Sequence, residues 1–280
     1  MIGAGVVLIL DGVMKQFRSI IAVLGAPALL LFGSHLYAQT VPTDGLVGFW
    51  AGNGNADDTS TNGNNGTFPG TYAPSPWGEA FQVDGASSYV SIPAINAYNF
   101  TTAFSVDFWF YGTPSEYTTF LGQDDGGGSV DKWFVGYEAF GPNEDFDLHE
   151  NGSNFAIIET NPVIPSSGEW NNLALVDNSG NFTFYLDGSE ISSTANDGTF
   201  PEPSAPFTIG YAESGYGFSG LIGNVALYNT ALTSGEVKQL YSVPEPSTWA
   251  MLAAGVGSVI CFWQSSRMNK VSQRTRPSVR

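Results

Sequence analysis

Phe104-Ser105-Val106-Asp107-Phe108-Trp109-Phe110-Tyr111 decides the fold of this chain. Side chains of a strand point alternately to its two faces, so Phe104, Val106, Phe108 and Phe110 against Ser105, Asp107, Trp109 and Tyr111 predict a strand with one buried face. Phe182, Phe184 and Leu186 alternate with Thr183, Tyr185 and Asp187 in the same way. Val83, Val90, Ile92, Leu173-Ala174-Leu175-Val176, Phe207, Ile209, Ile222, Val225 and Leu227 add further short apolar pieces. Between them stand Asp84-Gly85, Asn151-Gly152, Asp187-Gly188 and Asp197-Gly198, dipeptides that supply positive φ angles for tight turns. Many short strands with frequent turns predict an all-β sandwich rather than a parallel α/β sheet.

One helix is signalled, just after the last of these pieces. Thr233-Ser234-Gly235-Glu236 is the pattern of a capping box, in which the threonine hydroxyl accepts from the third helical amide and the glutamate reaches back. Val237, Leu240 and Tyr241 then line one face of a short helix that packs on the sandwich.

Both ends of the chain differ from this middle. Lys15 and Arg18 precede an apolar stretch over residues 19–32, and Leu36-Tyr37-Ala38 before Gln39 fits a small-residue cleavage site, so 1–38 reads as a secretory signal peptide with Met14 as its start. At the other end, Pro244-Glu245-Pro246 is followed by a 15-residue apolar run from Trp249 to Trp263, broken only by Ser258, and then by Arg267, Lys270, Arg274, Arg276 and Arg280. A stable span needs about 20 residues, so this segment predicts marginal or transient membrane attachment, with the basic end on the cytoplasmic side. The only cysteine, Cys261, lies in that run, which leaves the middle of the chain without disulfides or thiolate ligands.

Residues 39–242 are one domain by length. Of the 26 Asp and Glu only Asp11 and Glu245 lie outside it, whereas Lys132 and Lys238 are its only basic residues. Binding to nucleic acid or to anionic lipid depends on the Lys and Arg that are absent here, so those partners are excluded, and the membrane is met only through the C-terminal segment. Cations, neutral glycans and basic partners remain.

These residues carry two resemblances. The order of motif, short apolar run and basic end over 243–280 resembles the PEP-CTERM sorting signal of Gram-negative bacteria, which implies processing by an exosortase near Pro244, Glu245 and Pro246 after signal peptidase has acted at the other end. Gly45-Leu46-Val47-Gly48-Phe49-Trp50, Phe81-Gln82-Val83-Asp84-Gly85, Trp170-Asn171-Asn172-Leu173, Phe184-Tyr185-Leu186-Asp187-Gly188 and Gly220-Leu221-Ile222-Gly223-Asn224-Val225 together resemble the LamG-like, concanavalin A-type jelly rolls over 45–241. That resemblance implies a jelly-roll β-sandwich used by lectins, adhesion domains, glycosidases and lyases alike, so function must be argued from the site. It also implies a structural calcium held by Asp58, Asp84 and Asn224, with carbonyls of the 62–66 loop, although Asn224 stands where many relatives have aspartate. Turn hydrogen bonds are the competing role for Asp58 and Asp84.

No catalytic constellation emerges. A glycosidase needs two carboxyl groups about 5–9.5 Å apart, which on one strand means acids two or four positions apart on one face. In Glu144-Asp145-Phe146-Asp147-Leu148-His149-Glu150 one face carries Asp145, Asp147 and His149 and the other carries Glu144, Phe146, Leu148 and Glu150. The acids on the second face are separated by apolar residues, so the stretch reads as a polar strand edge. His149 is the only histidine of 39–242, which excludes a multi-histidine metal site. For glycan binding the candidate platform aromatics are Trp77, Trp109, Trp133, Tyr137, Tyr211 and Tyr216, with Tyr211 and Tyr216 favoured because they lie in the Gly-rich loop 210–220. The sequence thus predicts an exported, non-enzymatic envelope or extracellular-matrix protein that binds a carbohydrate or surface polymer. The alternatives are a polysaccharide hydrolase or lyase on the same fold, or a purely structural surface protein.

Overall fold

The computed structural model describes residues 41–94, 100, 102–124, 132–140, 143–151, 155–160, 162–195, 204–212 and 215–242. The expected signal peptide at 1–38, the 243–280 segment with Pro244, Glu245 and Pro246, and the Asp197-Gly198 turn lie outside the described residues. No helix among the described residues is long and apolar enough to cross a membrane.

The described chain forms two antiparallel sheets. Its strands are β1 (Leu46–Trp50), β2 (Thr71–Ser75), β3 (Gly78–Asp84), β4 (Val90–Ile92), β5 (Ala103–Tyr111), β6 (Tyr117–Gln123), β7 (Lys132–Phe140), β8 (Asn143–Asn151), β9 (Phe155–Glu159), β10 (Trp170–Asn178), β11 (Asn181–Leu186), β12 (Ser189–Ala195), β13 (Phe207–Ile209) and β14 (Ser219–Tyr228), followed by helix α1 (Ser234–Tyr241). One sheet has the order β12-β11-β10-β5-β14-β3-β2, with β1 also paired to β14. The other has the order β4-β13-β6-β7-β8-β9. Every apolar piece picked out above falls in a strand, and the fold is the concanavalin A-like jelly roll.

Turn chemistry sets the pairing. Asp187 and Gly188 both have positive φ, +50° and +69°, and they form the two-residue link between β11 and β12. That is the mirror-image turn whose twist matches the strands it joins. Ser179 and Gly180 do the same between β10 and β11, at +56° and +83°.

Strand β14 changes partner along its length. It pairs with β3 through 219–222 and with β1 through 225–228, while β5 runs along its other side. Between these segments one extra residue bulges out, Asn224 takes a φ of +51°, and its amide donates to Ala51 O at 3.2 Å. A bulge inverts the alternation, which is why Ile222 and Val225, an odd number of residues apart, both face the core.

The inward faces meet in a core rich in aromatic side chains, among them Phe104, Phe108, Phe110, Phe120, Trp133 and Phe146. Phe110 and Phe120 approach to 4.8 Å between ring centroids across the two sheets. Strand β5 departs from the one-face expectation: Ser105, Asp107 and Trp109 are buried as well. Helix α1 covers that outer face with Val237 and Leu240, joined by Ala174, Val176, Ala226 and Tyr228. The capping box forms as expected, with Glu236 N donating to Thr233 Oγ1 at 3.3 Å and Thr233 N to Glu236 Oε2 at 2.8 Å.

Candidate functional site

The site is built from β6, β7 and β8. In the register of β7 and β8, Glu138 stands opposite Asp145, Gly136 opposite Asp147 and Phe134 opposite His149. Tyr137, Val135, Phe146 and Leu148 occupy the alternate positions and enter the core. The acidic side chains are therefore forced to the outside of the six-stranded sheet. On β6, Tyr117 stands opposite Glu138 and Thr119 opposite Gly136, so the same face continues across three strands.

A cleft of about 230 Å³ opens over this face, lined by Tyr117, Thr119, Phe134, Glu138, Asp147, His149 and Tyr216 among others. Its rim is aromatic: Tyr117 and Tyr216 are 41% and 44% exposed, and their rings meet edge to face at 5.4 Å. Thr119 ties the 215–218 loop to β6, its amide and hydroxyl both donating to Tyr216 O, at 2.6 and 3.2 Å.

The floor is acidic. His149 Nε2 lies 3.0 Å from Asp147 Oδ2 and 3.3 Å from Glu138 Oε1. Phe134 stacks flat on the imidazole, with centroids 4.6 Å apart and planes 13° from parallel, and so fixes the plane of the ring. Asp147 is only 1% exposed, and its Oδ1 accepts no hydrogen bond. Gly136 makes room for that oxygen, because a Cβ there would stand 2.4 Å from it and 2.9 Å from Thr118 O. Burial raises the pKa of Asp147, while His149 opposes the shift. Burial also raises Glu138, helped by the Asp147 charge, and burial with the charges of Glu159, Asp147 and Glu138 lifts Asp145 to about 6. Such carboxyl groups hold protons more tightly than free ones, and they attract cations.

The stretch 144–150 is thus not a strand edge, because β8 lies between β7 and β9 and carries the floor of the cleft. Asp145, Asp147 and His149 do share one face, as the alternation requires. Glu138 was not singled out in the sequence, where its strand is flanked by Gly- and Asp-rich segments. The alternation of Trp133, Val135 and Tyr137 with Phe134, Gly136 and Glu138 is the signal that marks it.

Of the candidate aromatics, Tyr216 and Tyr137 line the cleft, and Tyr216 is the exposed one. Tyr211 instead stacks on Tyr89 at 4.9 Å. Trp133 is wholly buried and donates to Gln123 Oε1, and Tyr137 is buried beside Phe146, so neither offers an exposed platform. Trp77 and Trp109 belong to the outer face of the other sheet, 5.4 Å apart.

Asp58, Asp84 and Asn224 do not converge. Asp58 accepts from the amides of Phe49, Ser60 and Asn64 at 2.8–2.9 Å. Asp84 accepts from the amides of Ala86, Ser87 and Ser88 and from the hydroxyls of Ser87 and Ser88, and the three amides hold its carboxyl well below the usual carboxylate range. Asp84 stands opposite Ser219, five residues along β14 from Asn224, a separation of about 16 Å. Asn64 O, in the 62–66 loop, accepts from the Trp50 indole. Both carboxylates are turned toward N–H and O–H donors, which is the turn role, and the three residues do not fit one calcium site.

A family model described as the concanavalin A-like lectin/glucanases superfamily matches residues 84–238. The chain belongs to that superfamily. Among solved structures it is similar to domain 4 of the extracellular GH43 arabinanase AbnA from Geobacillus stearothermophilus, solved in complex with arabinotriose, at 22% identity and a TM-score of 0.57, covering 72% of this chain and 100% of that domain. It is also similar to the binding domain of Paraclostridial Mosquitocidal Protein 1, at 16% identity and a TM-score of 0.58, covering 70% and 52% of the two chains. A third similar structure is the botulinum neurotoxin serotype D ligand binding domain in complex with N-acetylneuraminic acid, at 12% identity and a TM-score of 0.54, covering 71% and 51%. The chain spans about half the length of the two toxin domains. At these identities the likeness is one of fold. A search of curated proteins gives no match.

Proposed function

We infer that this superfamily member is an exported envelope or extracellular-matrix protein that holds a saccharide or surface polymer in the cleft between Tyr117 and Tyr216. The observation that carries the reading is the cleft itself, an exposed aromatic rim above a polar floor. Aromatic faces cover the apolar C–H surfaces of sugar rings, while carboxylates accept from sugar hydroxyls. Neutral saccharides suit this floor better than uronates, because Glu138, Asp145 and Asp147 repel anions. The saccharides in the arabinanase and toxin complexes lend the reading support at the level of the fold. Export by a signal peptide and sorting by an exosortase follow from the order of segments in the sequence. Retention on neutral polysaccharides tests the binding claim. Replacing Tyr216 with alanine is expected to weaken retention about tenfold, equivalent to about 1.4 kcal/mol, and undiminished retention overturns the placement of the ligand.

Glycoside hydrolysis is the second reading, favoured by one observation. Glu138 and Asp147 bring carboxyl oxygens within 4.8 Å of each other, near the roughly 5–5.5 Å between the carboxyl groups of retaining enzymes. The burial of Asp147 counts against it as a nucleophile, since so little of it can meet a sugar carbon. Release of reducing ends that disappears with Glu138→Gln establishes this reading in place of simple binding.

A further inference from the structure

We propose that Glu138, Asp147 and His149 form a binding site for one divalent transition-metal ion, of the Mn²⁺ or Zn²⁺ class, in the floor of the cleft. The inference goes beyond the saccharide reading and does not rest on it.

The geometry comes first. The three ligand atoms lie within 4.8 Å of one another. Two ligands bound to one ion at about 2.0–2.2 Å stand roughly 2.9–3.5 Å apart for angles between octahedral and tetrahedral. The His149 Nε2 separations, 3.0 Å to Asp147 and 3.3 Å to Glu138, fall in that range. The Asp147 and Glu138 oxygens lie within 4.8 Å of each other, and their carboxylates turn toward the ion as it binds.

Second, one oxygen of Asp147 is poorly satisfied, with the Gly136 backbone lying against it but no donor at hydrogen-bond geometry. Its Oδ1 is buried without a hydrogen bond, and a buried carboxylate oxygen left this way is costly. The side chain lines the cleft, and the missing Cβ of Gly136 leaves the notch in which Oδ1 sits. Third, the site is accessible and preorganised. Glu138 and His149 are partly exposed, which gives an ion a path in, and the stacked Phe134 ring holds the imidazole plane. Fourth, the surroundings are anionic, with Asp145 among the neighbouring acids that act on one another's charge.

The donor set selects the ion class. Calcium and magnesium prefer all-oxygen shells, whereas an imidazole with two carboxylates suits a first-row transition ion and leaves positions for water or a ligand. An ion there stands beneath the tyrosine rim, where sugar hydroxyls can complete its shell.

The test is metal titration of the full chain after chelator treatment, followed by calorimetry and by thermal unfolding. Mn²⁺ or Zn²⁺ is expected to bind one per chain and to raise the unfolding midpoint by about 5–10 °C at a hundredfold excess over Kd. Glu138→Gln and His149→Gln are each expected to weaken binding at least tenfold and to remove the rise, whereas Tyr216→Ala is expected to keep it. Absence of saturable binding overturns the proposal, as does binding that survives both substitutions or an equal response to Ca²⁺, which marks only a diffuse acidic surface. If either variant fails to fold, the unsubstituted chain decides: Mn²⁺ is expected to broaden the ring resonances of His149, and no broadening overturns the site. Loss of saccharide retention in Tyr216→Ala with the metal response intact keeps this outcome separate from that of the binding proposal.

Discussion

Asp107 shows how one residue can resist the pattern that predicts its strand. The alternation gave it an outward position, and the structure grants that position but covers it with helix α1, so that Asp107 is fully buried with only the Asn172 amide donating to its two oxygens, at 3.0 and 3.1 Å. Burial lifts its pKa to about 8, against the weaker opposing effect of Asn172. The folded state therefore keeps a proton between about pH 4 and 8 that the unfolded chain releases, and stability falls as pH rises through that window. The slope from this one group is about 1.4 kcal/mol per pH unit. Replacing Asp107 with asparagine is expected to flatten the dependence and to raise stability at pH 8, as measured by urea unfolding at pH 5 and 8, and an unchanged slope contradicts the assignment. Asp58 serves instead to organise backbone. Its replacement by alanine leaves three amides without their acceptor, at an expected cost of about 3 kcal/mol. Because its oxygens are already occupied by donors, calcium is expected to leave the difference in unfolding midpoint between Asp58→Ala and the unsubstituted chain unchanged.

At the scale of elements, what the sequence announces is what neighbours along the chain decide. The capping box of α1 and the Asp187-Gly188 hairpin are local and both form as read, whereas the alternation in β5 marks its core face correctly but not the burial of its other face. Replacing Thr233 with alanine is expected to cost about 1 kcal/mol by chemical denaturation, the usual worth of an N-cap. The features that escaped the reading are made by distant segments. The outer cover of β5 combines α1 with Trp77 at the β2–β3 turn, whose ring packs against Trp109 and Trp170. The metal-like cluster needs Glu138 from β7 beside Asp147 from β8, a pairing that only the register supplies. A single strand tells which side chains share a face, but it does not tell what stands opposite them.

On the scale of the whole molecule, the two sheets divide the labour. The eight-stranded sheet is sealed on its outer face by helix and tryptophans, and the six-stranded sheet leaves its outer face open over the acidic floor. The excess of Asp and Glu over residues 39–242 then adds a long-range field to that local one. Cation binding at the cleft is expected to weaken as ionic strength rises from 0.05 to 0.5 M, because screening removes the distant contribution first; titrations at the two salt concentrations measure it, and equal affinities show that the ligands alone set the strength. The pairing of β1 with β14 has a mechanical meaning. Leu46, where the domain's first strand starts, stands opposite Tyr228, where its last strand ends. A pull on the two ends of the domain therefore loads this ladder like a zipper, one rung at a time, rather than shearing all its rungs together. Once α1 is peeled away, β1 is the element that yields first under tension.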